Sequence, residues 1–522
     1  MSKFKNTKLI SYSFLLFFSI SINQYYGFKG TFPLDTFLYF DGGFRALNGY
    51  FPFKDYWTVV GPTIDIFQSF FFKIFGVSWF SYVLHASIFN FIITSTTFFT
   101  LSKLNLKTNY CLLYSTLVSL IAYPIAGTPF ADQHSLIFSL VALFCFILHL
   151  KTNSNFYLFF MPIFLVLGFL SKQTPAGYII LIISGIMLLN IIFNFNFKKI
   201  FFLSFGTFSI LIILFFFLFI NEINFYSFYI QYVLFPLTIG DVRYSEFLFP
   251  LEFSRIITRF KYIHLALLPL IFLVLKNLIK NPKYFKDINF FILISLILVS
   301  WSAILHQLLT QNQKFIYFLI PILVGFSHIY YDKYQKKIFN YFLIILSVGC
   351  TIYYTIYYVD NRRFMELKDV DFERSINSET INKKLKNLKW INPDFAGDGE
   401  PSKEIALINE TISVLNSDDR NKMLITHYQF LASSITNYVY SPSKTYTMDG
   451  ISYPLKDNKY YKDYKKLFID QIKNNKIEVI YLMKPIEENS ITFVLDKSCI
   501  ELKNINIILN SYLIKNCKEL NN

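Results

Sequence analysis

Three aspartates and a handful of cations carry most of the chemistry that this sequence can offer. Asp35 stands in Pro33-Leu34-Asp35-Thr36, Asp41 in Asp41-Gly42-Gly43, and Asp132 in Phe130-Ala131-Asp132-Gln133-His134. Each carboxylate can accept a proton from an attacking hydroxyl, the work of a general base. Lys172, in Ser171-Lys172-Gln173-Thr174, supplies a cation, and Arg243, Arg255 and Lys314 supply others. Fixed cations of this kind stabilise phosphate charge as it develops. Every candidate also has a plainer role. Asp35 and Asp41 can be solvated loop residues, and Asp132 an N-cap for a helix beginning at Gln133. His134 can be an interfacial histidine, and Lys172 a lysine that snorkels to the membrane surface. The seven histidines are scattered and no acidic–His spacing recurs, so no metal-ligand cluster is read. No cofactor is called for, and a divalent metal is left open.

The elements that must position these residues are hydrophobic. Of 522 residues, 54% are hydrophobic and 16% charged, where a soluble globular chain carries about a quarter charged. Apolar blocks recur up to about Tyr358 and then stop. Only hydrogen-bond-complete helices stand in hydrocarbon, and about 20 apolar residues match its thickness. About eleven such spans are expected, the first near Leu9–Ile22. The next six are near Trp79–Leu101, Tyr110–Ala126, Gln133–Leu150, Phe156–Leu170, Ala176–Asn194 and Ile200–Ile220. The last four are near Tyr262–Leu275, Ile288–Leu305, Phe315–Tyr331 and Ile338–Tyr357. Lys3, Lys5 and Lys8 precede the first span, which lacks a small-residue cleavage site and reads as an uncleaved helix with a cytoplasmic N-terminus. The loops on that side carry Lys103 and Lys107, Lys151, Lys198 and Lys199, Lys276 to Lys286, and Lys333, Lys336 and Lys337. The short outer turns hold almost none, so lysine alternation puts the C-terminal segment outside the cytoplasm. The net charge of +15 therefore sets orientation and does not mark a nucleic-acid binder. The 63 Phe and 37 Tyr reflect an AT-rich composition and are not read as functional.

The expected fold is thus a polytopic α-helical membrane protein with a C-terminal extracytoplasmic α/β domain. The boundaries are 1–358 for the membrane domain and 359–522 for the exported one, with long outer loops at 23–61 and 221–261. Both loops are aromatic and proline-punctuated, as in interfacial helices, and loops this long are usually functional or disordered. Beyond Asp360, Lys403–Leu415 and Tyr461–Asn474 read as helices, Met423–His427 and Ile477–Met483 as strands. That alternation suggests a partly parallel sheet. Cys499 and Cys517 are the only cysteines there, and an oxidising compartment allows them to pair.

Loop one continues with Phe53-Lys54-Asp55-Tyr56-Trp57 and Gly61-Pro62, and its segment closes on Phe75-Gly76. With Asp35 after the first span and Asp132 after the third, this pattern resembles the lipid-phosphate-sugar-dependent glycosyltransferases of the GT-C fold. It is most similar to bacterial relatives of the protein O-mannosyltransferases and lipid A aminoarabinose transferases. The resemblance covers Asp35 to Gln173 and departs at two places: the frequent Asp-Glu pair is Asp35-Thr36 here, and no clear Arg follows Trp79. It implies a GT-C-like membrane domain that moves a sugar from a polyprenyl-phosphate donor to an envelope glycan, lipid or protein. Asp35, Asp132 and Asp41 are its candidate catalytic residues. Lys172, Gln173, His134, Asp55, Trp57, Arg243, Arg255 and Lys314 are candidates for substrate binding. The expected setting is a bacterial inner membrane, crossed many times, with no nucleic-acid partner. A glycolipid flippase and a non-catalytic scaffold of glycan assembly are the alternatives. Transporters more often show paired half-repeats with broken helices, absent from this sequence.

Overall fold

Long apolar stretches without interior breakers give long helices. The computed structural model describes residues 2–244, 252–311, 314–332, 337–393, 400–447, 449–517 and 520. Lys333 and Lys336 of the last expected cytoplasmic loop, and part of the second long outer loop, lie outside them. The chain is mostly helical and carries a small sheet region. Every expected span falls on a helix. Among the described residues, seven helices are long and apolar enough to cross a membrane: Trp79–Lys103, Ala131–Thr152, Gln173–Phe193, Phe197–Ile220, Lys261–Lys280, Ile288–Thr310 and Ile338–Met365. Thr108–Ile121 and Asn155–Ser171 are shorter apolar helices.

Proline sets two boundaries that hydropathy misplaced. The helix expected to reach Ala126 ends at Ile121, because Pro124 disfavours helical backbone in the residue before it and cannot donate in a helix. The span expected from Phe315 starts as a helix at Leu319, which leaves Pro321 in the first turn. A missing N–H costs nothing there.

The chain divides into two compact units. The first joins residues 1–27, 83–215 and 243–364. Its innermost element is Ala131–Thr152, nearly all of whose residues are buried. Phe197–Ile220 is the opposite case: Phe201, Phe205, Phe208, Phe215, Phe216 and Phe219 are each more than half exposed. In water such a surface is an aggregation hazard, whereas hydrocarbon accepts it.

The second unit joins residues 28–82, 216–242 and 365–522. Its larger sheet has five strands in the order β4-β3-β5-β7-β6: β3 is Lys422–Ile425, β4 Val439–Tyr440, β5 Val479–Met483, β6 Ile500–Asn504 and β7 Leu509–Ile514. The pairings β3–β4 and β3–β5 are parallel; β5–β7 and β6–β7 are antiparallel. Two-residue strands β1 (Ile376–Asn377) and β2 (Lys389–Trp390) form a separate antiparallel pair. β3 and β5 are buried along their whole length, as central strands covered on both faces must be. The helices Pro401–Ser417 and Tyr461–Asn474 agree with the sequence reading to within a few residues. Cys499 and Cys517 are disulfide-bonded, the first opening β6 and the second following β7.

Loop one belongs to this second unit. Trp57 packs edge-on to Phe235 and Tyr464 in the same core as Met423, Ile480 and Tyr512. Its backbone N–H donates to the carbonyl of Pro442, and its carbonyl accepts from Lys444. Full burial of an aromatic side chain of this size stabilises by roughly 2–3 kcal/mol, which draws the loop to the sheet that follows it in sequence.

Candidate functional site

Asp132 gathers the first cluster. The helix Ala131–Thr152 is preceded by Phe130, whose extended backbone occupies the N-cap, so Asp132 lies inside the first turn. The N-cap role considered for it is therefore not the one it plays. Its carboxylate instead reaches the break after the helix Asn155–Ser171 and the helix Ile288–Thr310. Lys172 Nζ donates to Asp132 Oδ2 at 2.6 Å, and His306 Nε2 is hydrogen-bonded to Asp132 Oδ1. Charge-assisted bonds of this kind are about twice as strong as neutral ones. Lys172 sits where the helix Asn155–Ser171 has ended and its own backbone has turned extended. That break aims its side chain at Asp132, so it does not snorkel. His306 Nδ1 lies 3.1 Å from Thr174 Oγ1, which fixes the ring from its other side. Lys172 keeps a quarter of its side-chain surface open, while Asp132 and His306 are almost fully enclosed.

Arg243, at the end of the helix Phe235–Arg243, is a further cation of this unit. Its Nε has no hydrogen-bond partner among the described residues. Both carboxylate oxygens of Asp132 are thus engaged, one by a lysine and one by a histidine. A lysine held in this way, with part of its surface open, can meet an anion.

The other candidates in this unit have different surroundings. His134 is fully buried in a polar chain: one ring nitrogen meets the Tyr123 hydroxyl and the other lies 3.0 Å from His85 Nε2. Lys314 donates to the Arg363 carbonyl at 2.8 Å. Gln173 opens the helix Gln173–Phe193, and Arg255 is half-buried on the turn Ser254–Thr258.

In the second unit, Asp35 is half-buried in the short helix Pro33–Thr36. Asp41 is placed quite differently. On the helix Leu38–Leu47, Asp41 Oδ2 accepts from Arg45 Nε at 2.6 Å and is enclosed with it. Arg45 also donates to the Tyr438 hydroxyl at 3.0 Å and the Val439 carbonyl at 3.2 Å. Asp65, on the helix Thr63–Phe75, accepts from Lys444 Nζ at 2.5 and 2.6 Å. Burial pushes the carboxyls of Asp41 and Asp65 above the ordinary range, and Arg45 and Lys444 draw them back. The glycines after Asp41 serve the same packing. A Cβ on Gly42 would stand 2.2 Å from Asp65 Oδ1, and one on Gly43 2.3 Å from Gln68 Cγ. Asp41-Gly42-Gly43 is therefore a close helix contact beside two buried ion pairs, and Asp41 is buried there with Arg45. Asp55 accepts the Phe51 N–H at 2.7 Å, which orders the turn that carries Trp57.

The Asp65–Lys444 pair gives a stability expectation. Lys444→Met leaves Asp65 buried without its cation, a loss of about 3–5 kcal/mol. Thermal unfolding of the purified full chain should show a markedly lower midpoint. The double variant Asp65→Asn/Lys444→Met should recover part of the loss; equal midpoints for Lys444→Met and wild type would refute this role.

Sequence reading singled out Asp132 and Lys172 separately and passed over His306 and Asp65. His306 lies 174 residues from Asp132, and its one signal was an ionisable group within a span. Among the described residues, no group of three or more His, Cys, Asp or Glu side chains is placed to share a metal ion.

No family profile matches the chain, and no curated protein does. Among solved structures it is similar to the crystal structure of the Archaeoglobus fulgidus oligosaccharyltransferase in complex with zinc and sulfate. The identity is 10% and the TM-score 0.42, over 97% of this chain and 73% of that one.

Proposed function

We propose that this protein is a membrane glycosyltransferase of the GT-C type, which moves a sugar from a polyprenyl-phosphate donor to a glycan, lipid or protein of the cell envelope. The observation that carries this reading is Lys172, held on Asp132 beside His306 with a quarter of its side chain open, in a unit of membrane-length helices. The donor lipid dissolves in the bilayer, so its phosphate needs cations held at the membrane surface. As the bond from the anomeric carbon to the phosphate oxygen breaks, negative charge grows on that phosphate. Lys172 and Arg243 stabilise it, and Asp132 holds Lys172 and His306 in place. The acceptor hydroxyl attacks the anomeric carbon from the opposite face, with inversion, and loses its proton to a base, for which Asp35 is the candidate read from the sequence. Asp41 takes no part.

The proposed setting is a bacterial inner membrane crossed eleven times, with the N-terminus in the cytoplasm and residues 359–522 outside it. Lysine alternation supports it. A reporter that folds only outside the cytoplasm, fused after the last residue, should be active; activity of a cytoplasm-only reporter there would overturn the span count.

Purified protein in nanodiscs, supplied with polyprenyl-phosphate sugars and an envelope extract, should release one polyprenyl phosphate for each sugar transferred. Envelope glycans from cells lacking the gene should be lighter by that sugar. A flippase releases no polyprenyl phosphate, and a scaffold neither binds donor nor turns it over; either result would sink the proposal.

A further inference from the structure

The second unit contains a cleft of about 440 Å³, walled by the loop-one turn around Asp55, by residues 222–231 and by one side of the helix Tyr461–Asn474. That size lies within the usual range for small-molecule sites, roughly 300–1,000 Å³. Its wall chemistry is unlike that around Lys172. Asp55, Glu222, Asp463 and Asp470 contribute carboxylates, whereas Lys54 and Lys466 contribute the cations. Lys54 is already committed to Glu222 at 3.0 Å. The remaining balance is negative, so a phosphate is repelled. Tyr226 and Tyr440 offer rings, and Tyr226 is 62% exposed. Two lining residues also carry enclosed polar atoms without partners among the described residues: Trp57 Nε1, a donor, and Gln471 Oε1, an acceptor.

Carboxylates and amides that accept hydroxyl donors, beside rings that cover C–H faces, are the chemistry that holds a sugar. A lipid chain would be excluded by the carboxylates. We propose that this cleft binds a neutral or amino-bearing glycan, the acceptor side of the transfer reaction. The acceptor assignment rests on the glycosyltransferase reading, but glycan binding itself does not. Asp463 and Asp470 accept hydroxyl or ammonium hydrogens, and Tyr226 stacks on a ring face.

The test measures binding to the full chain in nanodiscs without donor, so a failure here is separable from a failure of transfer. The probes are cellotriose, chitotriose and trigalacturonate, followed by saturation-transfer NMR and calorimetry. Cellotriose or chitotriose should bind saturably, and trigalacturonate should not. Asp470→Asn and Tyr226→Ala should each weaken binding at least about tenfold, the effect of one lost charge-assisted bond or ring contact. Tyr226→Phe, which keeps the ring, should bind as wild type does. No saturable binding by either uncharged or cationic probe, equal binding of trigalacturonate, or binding that survives both variants would overturn the proposal. Binding of acetyl-Ser-Gly-Ser amide in place of the glycans would assign the cleft to a peptide and overturn it equally.

Discussion

Asp35→Asn is expected to lower the rate of sugar transfer on the order of 10²- to 10⁴-fold, the usual worth of a positioned acid or base. The substitution keeps the shape of the side chain and its hydrogen-bonding capacity, and removes only the ability to take a proton. Asp35 suits the part better than its neighbour does. It is half-buried near the start of loop one, whereas Asp41 is enclosed and bonded to Arg45. Donor affinity should hardly change, because a base faces the acceptor hydroxyl. Transfer from a polyprenyl-phosphate sugar in nanodiscs gives the turnover, and a separate titration with donor gives the affinity. Asp41→Asn is the useful contrast: it should leave Arg45 enclosed without its carboxylate, so its penalty should appear in the unfolding midpoint rather than in turnover per folded molecule. Near-normal turnover in Asp35→Asn would remove Asp35 from the mechanism.

These contrasts show where sequence was a good guide. The positions of the long helices were legible because long apolar runs without interior breakers are written directly into residue type. The two misplaced ends, at Ile121 and Leu319, turned on proline geometry rather than on hydropathy. The strands beyond residue 400 were legible for a similar reason, since Val479–Met483 is a continuous apolar run. The long outer loops were harder. Their aromatic content suggested surface helices, yet Trp57 lies in a core shared with residues more than 350 positions later, such as Met423 and Tyr464. Nothing local distinguishes an aromatic residue bound for an interface from one bound for a distant core. The same blindness affected Asp41 and Asp65: a carboxylate's partner decides whether it is chemical or structural, and Lys444 is 379 residues from Asp65.

The sharpest division between function and support falls on Lys172. A purely structural ion pair and a phosphate site make the same two bonds, so loss of stability alone cannot separate them. Lys172→Met keeps the apolar stem and deletes the charge. If Lys172 holds donor phosphate, it loses a hydrogen bond to a charged group worth about 1.5–3 kcal/mol, or roughly 10- to 100-fold in donor affinity. Transfer should slow by more than that factor, because charge on the phosphate grows as the sugar departs. Lys172→Arg should restore much of the affinity, since a guanidinium reaches both phosphate and Asp132. Asp132→Asn should also slow transfer while leaving Lys172 charged, since the lysine then loses the carboxylate that aims it. The double variant Asp132→Asn/Lys172→Met removes the unpaired buried charge and should regain stability without regaining transfer. A structural pair predicts the reverse: donor affinity and turnover per folded molecule would stay at wild-type values in all four variants, and only the unfolding midpoint would move. Donor titration, turnover and thermal unfolding on the same preparations decide between the two.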